Sequence, residues 1–412
     1  MSDNVFVEEA QRLLLERTLI REIEHVRLQD SAGRVLAEDI LAGENVPGFA
    51  CSRMDGYAVS SSDVVQARKD CPVALRVIEK VPAGHLPQKA VRPGTAIKVM
   101  TGAPIPEGAD AVIKFEDVVL QGEYACIFNP VRPKKNIISV GEDLVKGEVV
   151  SKRGTVITPV HFNVMSVLGL DILPVFARPK VAVIATGDEL VDKHEPLRPG
   201  KIRNSNLYSL EAFIKHTGGV ALPLGNTPDN IEVLADKVLH GLDSADMIIT
   251  TGGASTGDYD VVKSTMDLLG AKPLFISVDM RPGKGTAAFI KDDKLIISLS
   301  GNPAANMVSF QLFVVPVLKK MLGYHRVLPS EVTAILGESF SKFNKYREFL
   351  PGRFYAKNGV LSVLFGGTGK SSIMQSMIGC HVLADIPAGS GPLAQGTPIS
   401  TKIIGRIEDL NE

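Results

Sequence analysis

Only four cysteines occur in this chain of 412 residues, Cys51, Cys71, Cys126 and Cys380, and none forms a CxxC pair. So scattered, they exclude a disulfide framework or a thiolate zinc site as the basis of the fold, and unpaired thiols are expected. The eight histidines show no HExxH or similar ligand spacing, so no histidine-built metal centre is expected. A surplus of either charge is also missing, with 45 basic residues against 46 acidic ones. That balance implies neither a nucleic-acid partner nor an anionic membrane surface. No uninterrupted apolar run reaches the roughly 18 residues that span a bilayer. The opening MSDNVFVEEAQ is acidic and has no apolar signal core, so a cytoplasmic location is expected.

What is present is an ordinary globular composition, 45% hydrophobic and 22% charged, in a chain too long for a single core. Phe6, Ala10, Leu13 and Leu14 recur at helical spacing and predict an amphipathic helix at the start. AGRVLAEDILAGENVPGF reads as a second helix or as an extended connector ending in a Gly/Pro turn. From Val73 to Phe128, short apolar runs between turn signals predict a β-rich module of antiparallel strands. A helix carrying Val164, Val167 and Leu168 follows. A helical layer laid down in two pieces, with the β-rich module inserted between them, accounts for this order.

Beyond FARPK, strand and helix alternate about five times over residues 178–324, which predicts a three-layer α/β domain on buried parallel strands. After Pro329 the segments VTAILGESF, REFLPGRFYA, VLSVLF and GTPISTKII read as a small closing β domain. The boundaries drawn are 1–50 with 146–177 for the split layer, 51–145 for the insert, 178–326 for the α/β domain and 327–412 for the last domain.

Ligands of open α/β sheets lie beyond the C-terminal ends of the strands, and four loops at such ends are unusual: TGDEL, TPDN, TTGGASTGDYD and SGNPAAN. In the third, Gly252 and Gly253 permit a tight turn with amides aimed at a guest. Thr250, Thr251, Ser255 and Thr256 add hydroxyls ahead of a helix whose N-terminus favours an anion. Phosphate suits this loop, although hydroxyls that merely cap the helix would give the same composition. Asp188, Glu189, Asp229, Asp258 and Asp260 would repel a phosphate unless a hard divalent cation joined them, and each is also an ordinary turn residue. Arg281 and Lys284 in DMRPGKGTAAF suit an oxyanion, as they suit an exposed turn. FGGTGKSS is not a nucleotide loop, because GxxxxGKS requires glycine where the chain has Leu364, and TGGASTG lacks the GxGxxG spacing.

Eight motifs in order nevertheless resemble the molybdopterin molybdenumtransferase family, to which the C-terminal domain of the eukaryotic scaffold protein gephyrin is also similar. They are SRMDGYAV, TGAPIPEGADAVIKFE, VGEDLVKGE, ATGDEL, NSN, TTGGASTGDYD, RPGKG and SGNPAAN. The resemblance implies an elongated multidomain α/β and β chain: a split helical/β linker layer, an inserted β-rich module, a three-layer α/β domain of molybdopterin-binding type and a C-terminal β barrel-like domain. It also implies a homodimer whose clefts are shared between subunits, contact with an adenylyltransferase and molybdoenzyme chaperones, and insertion of molybdate into adenylylated molybdopterin with magnesium, releasing molybdenum cofactor and AMP.

Carried over by motif, the catalytic set is Asp55, Asp143, Glu189, Asp229, Asp260, Arg281 and Lys284. Asp188, Glu189 and Asp260 are the implied magnesium ligands. The pterin would be held by Thr101, Thr186, Gly187, Asp188, Thr250, Thr251, Gly252, Gly253, Ser255, Gly257, Ser300, Gly301, Asn302 and Pro303. The chain departs from the family's usual pattern at Arg53, Arg281, Ser300 and the segment 365–377. A non-catalytic scaffold of the same fold, an adenylylating enzyme and a tungstate-preferring paralogue are the alternatives.

Overall fold

The computed structural model describes residues 4–253, 261–357, 359–366 and 377–405. The chain divides into two compact units, one of Met1–Ala37, Gly154–Thr158 and Ile172–Glu412, the other of Glu38–Arg153 and Pro159–Asp171.

The smaller unit is built on six strands in the order Ala111–Lys114, Gly56–Val59, Thr95–Val99, Val73–Val81, Tyr124–Ile127 and Val118–Gln121. The module expected to be wholly antiparallel contains one parallel pair, Val73–Val81 with Thr95–Val99. The connection between them, residues 82–94, is long enough for the crossover that parallel pairing demands. The segment 32–49 is extended rather than helical: Ile40–Leu41 pairs with Val149–Ser151. Helix Pro159–Val167 forms as expected, but its buried residue is Met165, whereas Val167 is exposed.

In the larger unit, helix α1 (Val7–Glu16) buries Val7, Ala10 and Leu14. The two expected helices therefore fall in different units. The split segments meet instead as strands, Ile23–Arg27 against Ile172–Phe176.

Six strands form the α/β sheet: β1 (Lys180–Thr186), β2 (Val220–Thr227), β3 (Met247–Thr251), β4 (Lys272–Phe275), β5 (Ala287–Lys291) and β6 (Lys294–Leu299), in the order β2-β1-β3-β6-β5-β4. Strands β2, β1, β3 and β6 are parallel. At the other margin β5 runs antiparallel to β6, and β4 to β5, so the expected parallel sheet is mixed. The cause is local. Asp292 and Asp293 both have positive φ, +50° and +59°, and a two-residue turn of that kind makes a hairpin, not a crossover.

Helices α2 (Ser205–Thr217), α3 (Ile231–Ser244) and α4 (Val261–Leu268) make the crossovers, and α5 (Pro303–Ser309), a π turn over Phe310–Val314 and α6 (Val315–Met321) follow β6. On one face of the sheet Val181, Val183, Ile249 and Ile297 pack with α1, α2 and the run from α5 to α6. On the other, Ala182, Ile184, Ile248 and Ile296 meet Leu234, Val238, Val262 and Met266 of α3 and α4. Residues 304–318 are all buried, which explains why that helical run is apolar on every side except at Asn306, Ser309 and Gln311, which are buried polar residues. From β1 the chain crosses towards β2, and from β3 towards β4 at the opposite margin. The topological switch point therefore lies between β1 and β3, where a ligand crevice opens in such sheets.

Five strands close the C-terminal barrel, Glu331–Leu336, Val360–Phe365, Glu348–Lys357, Val382–Ile386 and Pro398–Ile403. The fourth, VLADI, had escaped the sequence reading. Among the described residues no helix is long and apolar enough to cross a membrane, and none of the four cysteines is in a disulfide.

Phe313, fully buried, packs its ring 6.4 Å from that of Phe275 within the larger core. Phe313→Ala is expected to lower unfolding free energy by about 3–5 kcal/mol, measured as a reduced denaturation midpoint at an unchanged m-value.

Candidate functional site at the switch point

The loops after β1 and β3 meet at backbone distance. A Cβ on Gly252 would lie 2.1 Å from the Thr186 carbonyl oxygen, and one on Gly253 would lie 2.5 Å from Thr186 Cγ2, both at positive φ. Glycine is thus required there by close approach as well as by backbone conformation. The loop after β6 joins them, since a Cβ on Gly301 would stand 3.4 Å from Gly252 Cα. Asn302 caps α5, its carboxamide oxygen accepting from the Ala304 and Ala305 amides with Pro303 in the first turn.

An acidic lip borders these loops. The Asp188 amide donates to the Asp229 carboxylate at 3.4 Å, and the Asp229 amide donates to that of Asp188 at 3.2 Å. Each acid is thereby held at the end of its strand, Asp188 after β1 and Asp229 after β2. Glu189 follows in the same loop and folds back over Gly187. Lysines brace the lip from behind: Lys201 donates to the Asp188 carbonyl, and Lys237 to the carbonyls of Leu224 and Asn226. Burial pushes the Lys237 ammonium below its usual range.

The oxygen-only character of Asp188, Glu189 and Asp229 suits a hard divalent cation. Among the described residues, however, no three acids, histidines or cysteines are grouped so as to hold a metal ion. Asp260, Ser255 and Gly257 lie outside the described residues, as do residues 367–376 of the altered C-terminal segment. The expected ligand residues Thr186, Thr250 and Thr251 are 0–1% exposed. Their side chains form the floor beneath the loops rather than the lining of the crevice.

Because β5 is reversed, the loop preceding it emerges at the same edge as the C-terminal ends of the parallel strands: Ala287 pairs with Ser298, Ser298 with Thr250 and Thr250 with Ile184. That loop carries Arg281 and Lys284. Their cationic groups stand 4.4 and 5.8 Å from the Tyr346 ring, and Lys345 stands 5.7 Å from it. Three cations thus gather around one aromatic ring, where each gains from the ring quadrupole. Lys345 and Tyr346 just precede the barrel strand Glu348–Lys357, and nothing in the local sequence there reveals which loop they meet.

In the smaller unit, Ile137–Ile138 pairs with Cys51–Ser52, which brings the MDGY and GED loops together. Arg53 pairs with Glu142, next to Asp143, and the Asp143 amide donates to the Val46 carbonyl at 2.9 Å. Asp55 accepts from both the amide and the hydroxyl of Thr101, each at 2.8 Å. These two bonds, the amide first, hold the Asp55 carboxyl below its ordinary range. Such a group contributes stability above its unfolded-state pKa and loses it as pH falls through the depressed folded value.

Thr101→Val removes the hydroxyl but keeps the amide. The Asp55 carboxyl is then expected to titrate at higher pH, by the smaller part of its total displacement, in a carbon-detected NMR titration.

Comparison with known proteins supports one assignment. The profile described as "MoeA N-terminal region (domain I and II)" matches residues 5–169, and that described as "Probable molybdopterin binding domain" matches residues 182–320. The molybdopterin molybdenumtransferase of Bacillus subtilis (strain 168) is 36% identical over 97% of this chain and 94% of its own length. That of Staphylococcus aureus (strain MRSA252) is 35% identical over 93% and 91%. The crystal structure of the molybdopterin biosynthesis moeA protein from Pyrococcus horikoshii OT3 superposes with a TM-score of 0.83 at 32% identity, covering 97% of this chain and all (100%) of that one. A second structure of the moea protein, from Pyrococcus horikosii, gives 0.86 at 30% identity over 98% and 100%. With both halves matched and relatives similar along nearly the whole chain, this protein belongs to the molybdopterin molybdenumtransferase family.

Proposed function

We propose that the chain inserts molybdate into the dithiolene of adenylylated molybdopterin, with cleavage of the adenylyl phosphate anhydride and release of molybdenum cofactor and AMP. The observation that carries this reading is the convergence, at one sheet edge, of a glycine loop, an acidic lip and the cation loop of Arg281 and Lys284. A phosphate-bearing pterin and a dianionic oxyanion repel one another in water. Backbone amides near Gly252 and Gly253, together with Arg281 and Lys284, offset that repulsion in a fixed geometry. Lys345 adds a third cation beside them.

Magnesium, held among Asp188, Glu189 and Asp260, would supply the remaining neutralisation when bound. Asp229 keeps Asp188 in place through the reciprocal amide bonds. In this reading Asp55, Thr101 and Asp143 of one subunit close the cleft of its partner in a homodimer. Thr101 holds the Asp55 carboxylate charged, and Arg53, pairing with Glu142, leaves the neighbouring Asp143 as the acid of that loop.

A binding role without turnover is the second reading, and one feature favours it. An apolar groove of about 550 Å³ lies between α1 and the barrel, lined by Phe6, Val7, Ile386, Leu393 and Ile399. It gives no account of the acidic lip, whose self-repulsion a scaffold has no use for.

The test supplies adenylylated molybdopterin, magnesium and either molybdate or tungstate, then follows AMP release and reconstitution of an apoenzyme. Asp55→Ala and Asp260→Ala are each expected to reduce both readouts by at least about 100-fold while the dimer persists. Full synthesis by both variants would overturn the enzymatic reading, and AMP release without reconstitution would overturn the insertion step. Faster turnover with tungstate would assign the chain to the other oxyanion.

A further inference from the structure

Beneath the crevice lies a polar knot that the reaction as described does not use. Thr251, the last residue of β3, accepts at its hydroxyl from the carboxamides of Asn206 at 2.9 Å and Asn306 at 2.8 Å, and donates to the Ser300 carbonyl at 3.1 Å. The same two amide groups reach further: Asn206 donates to the Gly301 carbonyl at 2.9 Å, and Asn306 to the Ser300 carbonyl at 3.2 Å. Thr251, Asn206 and Asn306 are 1%, 7% and 1% exposed. One hydroxyl thus uses its proton and both lone pairs to tie α2, α5 and the loop after β6 to the end of β3.

Holding the fold together does not explain this arrangement. Both helices already have dedicated caps, Asn204 for α2 and Asn302 for α5, and β3 already pairs with β6. What the two carboxamides secure is a pair of consecutive loop carbonyls. In a trans peptide the carbonyl and the following N–H point in opposite directions. Drawing the Ser300 carbonyl into the knot therefore turns the Gly301 amide away from it, and Gly301 is exposed. The carboxamide oxygens of Asn206 and Asn306 are meanwhile buried with no hydrogen-bond partner among the described residues. An oxygen left so would cost roughly 1–3 kcal/mol, more than a tie between two already capped helices calls for.

We infer that Asn206 and Asn306, keyed by the Thr251 hydroxyl, are positioning residues that aim the Gly301 amide at the phosphate of the bound pterin. This rests on the reading of the crevice as a pterin-phosphate site. The knot engages residue 300 only through its carbonyl, so the serine there leaves the device intact.

The experiment compares wild-type chain with Thr251→Val, which keeps shape but removes the hydroxyl, and Thr251→Ser, which restores it. Titration calorimetry with adenylylated molybdopterin is expected to show about tenfold weaker binding for Thr251→Val. A matching rise in KM at nearly unchanged kcat should accompany it, and Thr251→Ser should recover both. Hydrogen exchange supplies a second readout: ligand should protect the Gly301 amide in wild type and less so in the valine variant. If Thr251→Val does not fold, Asn206→Ala, which removes the carboxamide's bonds to the Thr251 hydroxyl and the Gly301 carbonyl but leaves those of Asn306, is measured in the same way. Equal affinity, equal KM and equal protection in a folded variant would overturn the inference. Absence of pterin binding by wild type would instead overturn the reading of the crevice on which it rests.

Discussion

Strands β1, β3 and β6 are enclosed by helices on both faces, and a backbone so enclosed can turn towards a ligand only at its ends. Every feature of the site follows from that confinement. The apolar runs stop together at Thr186, Thr251 and Leu299, where residues with hydroxyls, acids or no side chain take over. Because Ala185 pairs with Thr251, and Thr251 with Leu299, these changes fall in register across the sheet. Three loops therefore leave from one level, close enough that any side chain on Gly252 would collide with Thr186.

Much of this was legible in the sequence. The alternation of apolar strands with 3.6-period helices gave the α/β domain, and the loss of helical spacing after Pro329 gave the barrel. Glycines and acids behind the strands marked the crevice. What escaped depended on partners remote in sequence. The parallel pair in the smaller sheet is set by a crossover, not by any residue pattern in its strands. Asn206 and Asn306 look like ordinary helix-start residues until the fold brings both to Thr251. Tyr346 belongs to a barrel segment with no chemical signature of its own, and only packing places it beneath Arg281 and Lys284. Conversely, Thr250 and Thr251 had the composition of a phosphate loop, yet their side chains are buried and serve the floor.

Departures from the family's usual motifs also become intelligible where contacts are available. Arg53 forms an ion pair with Glu142 across the two loops that present Asp55 and Asp143. Both partners are largely exposed, so the pair adds little stability and acts mainly on local charge. At position 300 the bonds to Thr251 and Asn306 run through the backbone carbonyl, while the serine hydroxyl adds one of its own by accepting from the Asn302 amide at 3.2 Å.

The barrel is bound to the cation loop by main chain. Arg281 donates its amide to the Arg347 carbonyl and accepts from the Phe349 amide, each at 2.8 Å, so an extra rung of sheet joins the turn of Arg281 and Lys284 to the barrel. Two regions that look separable are thus mechanically one. If Arg281 and Lys284 draw anions as proposed, damage that slackens the barrel will surface as poor anion capture, and a worker reading only activity would blame the wrong end of the molecule.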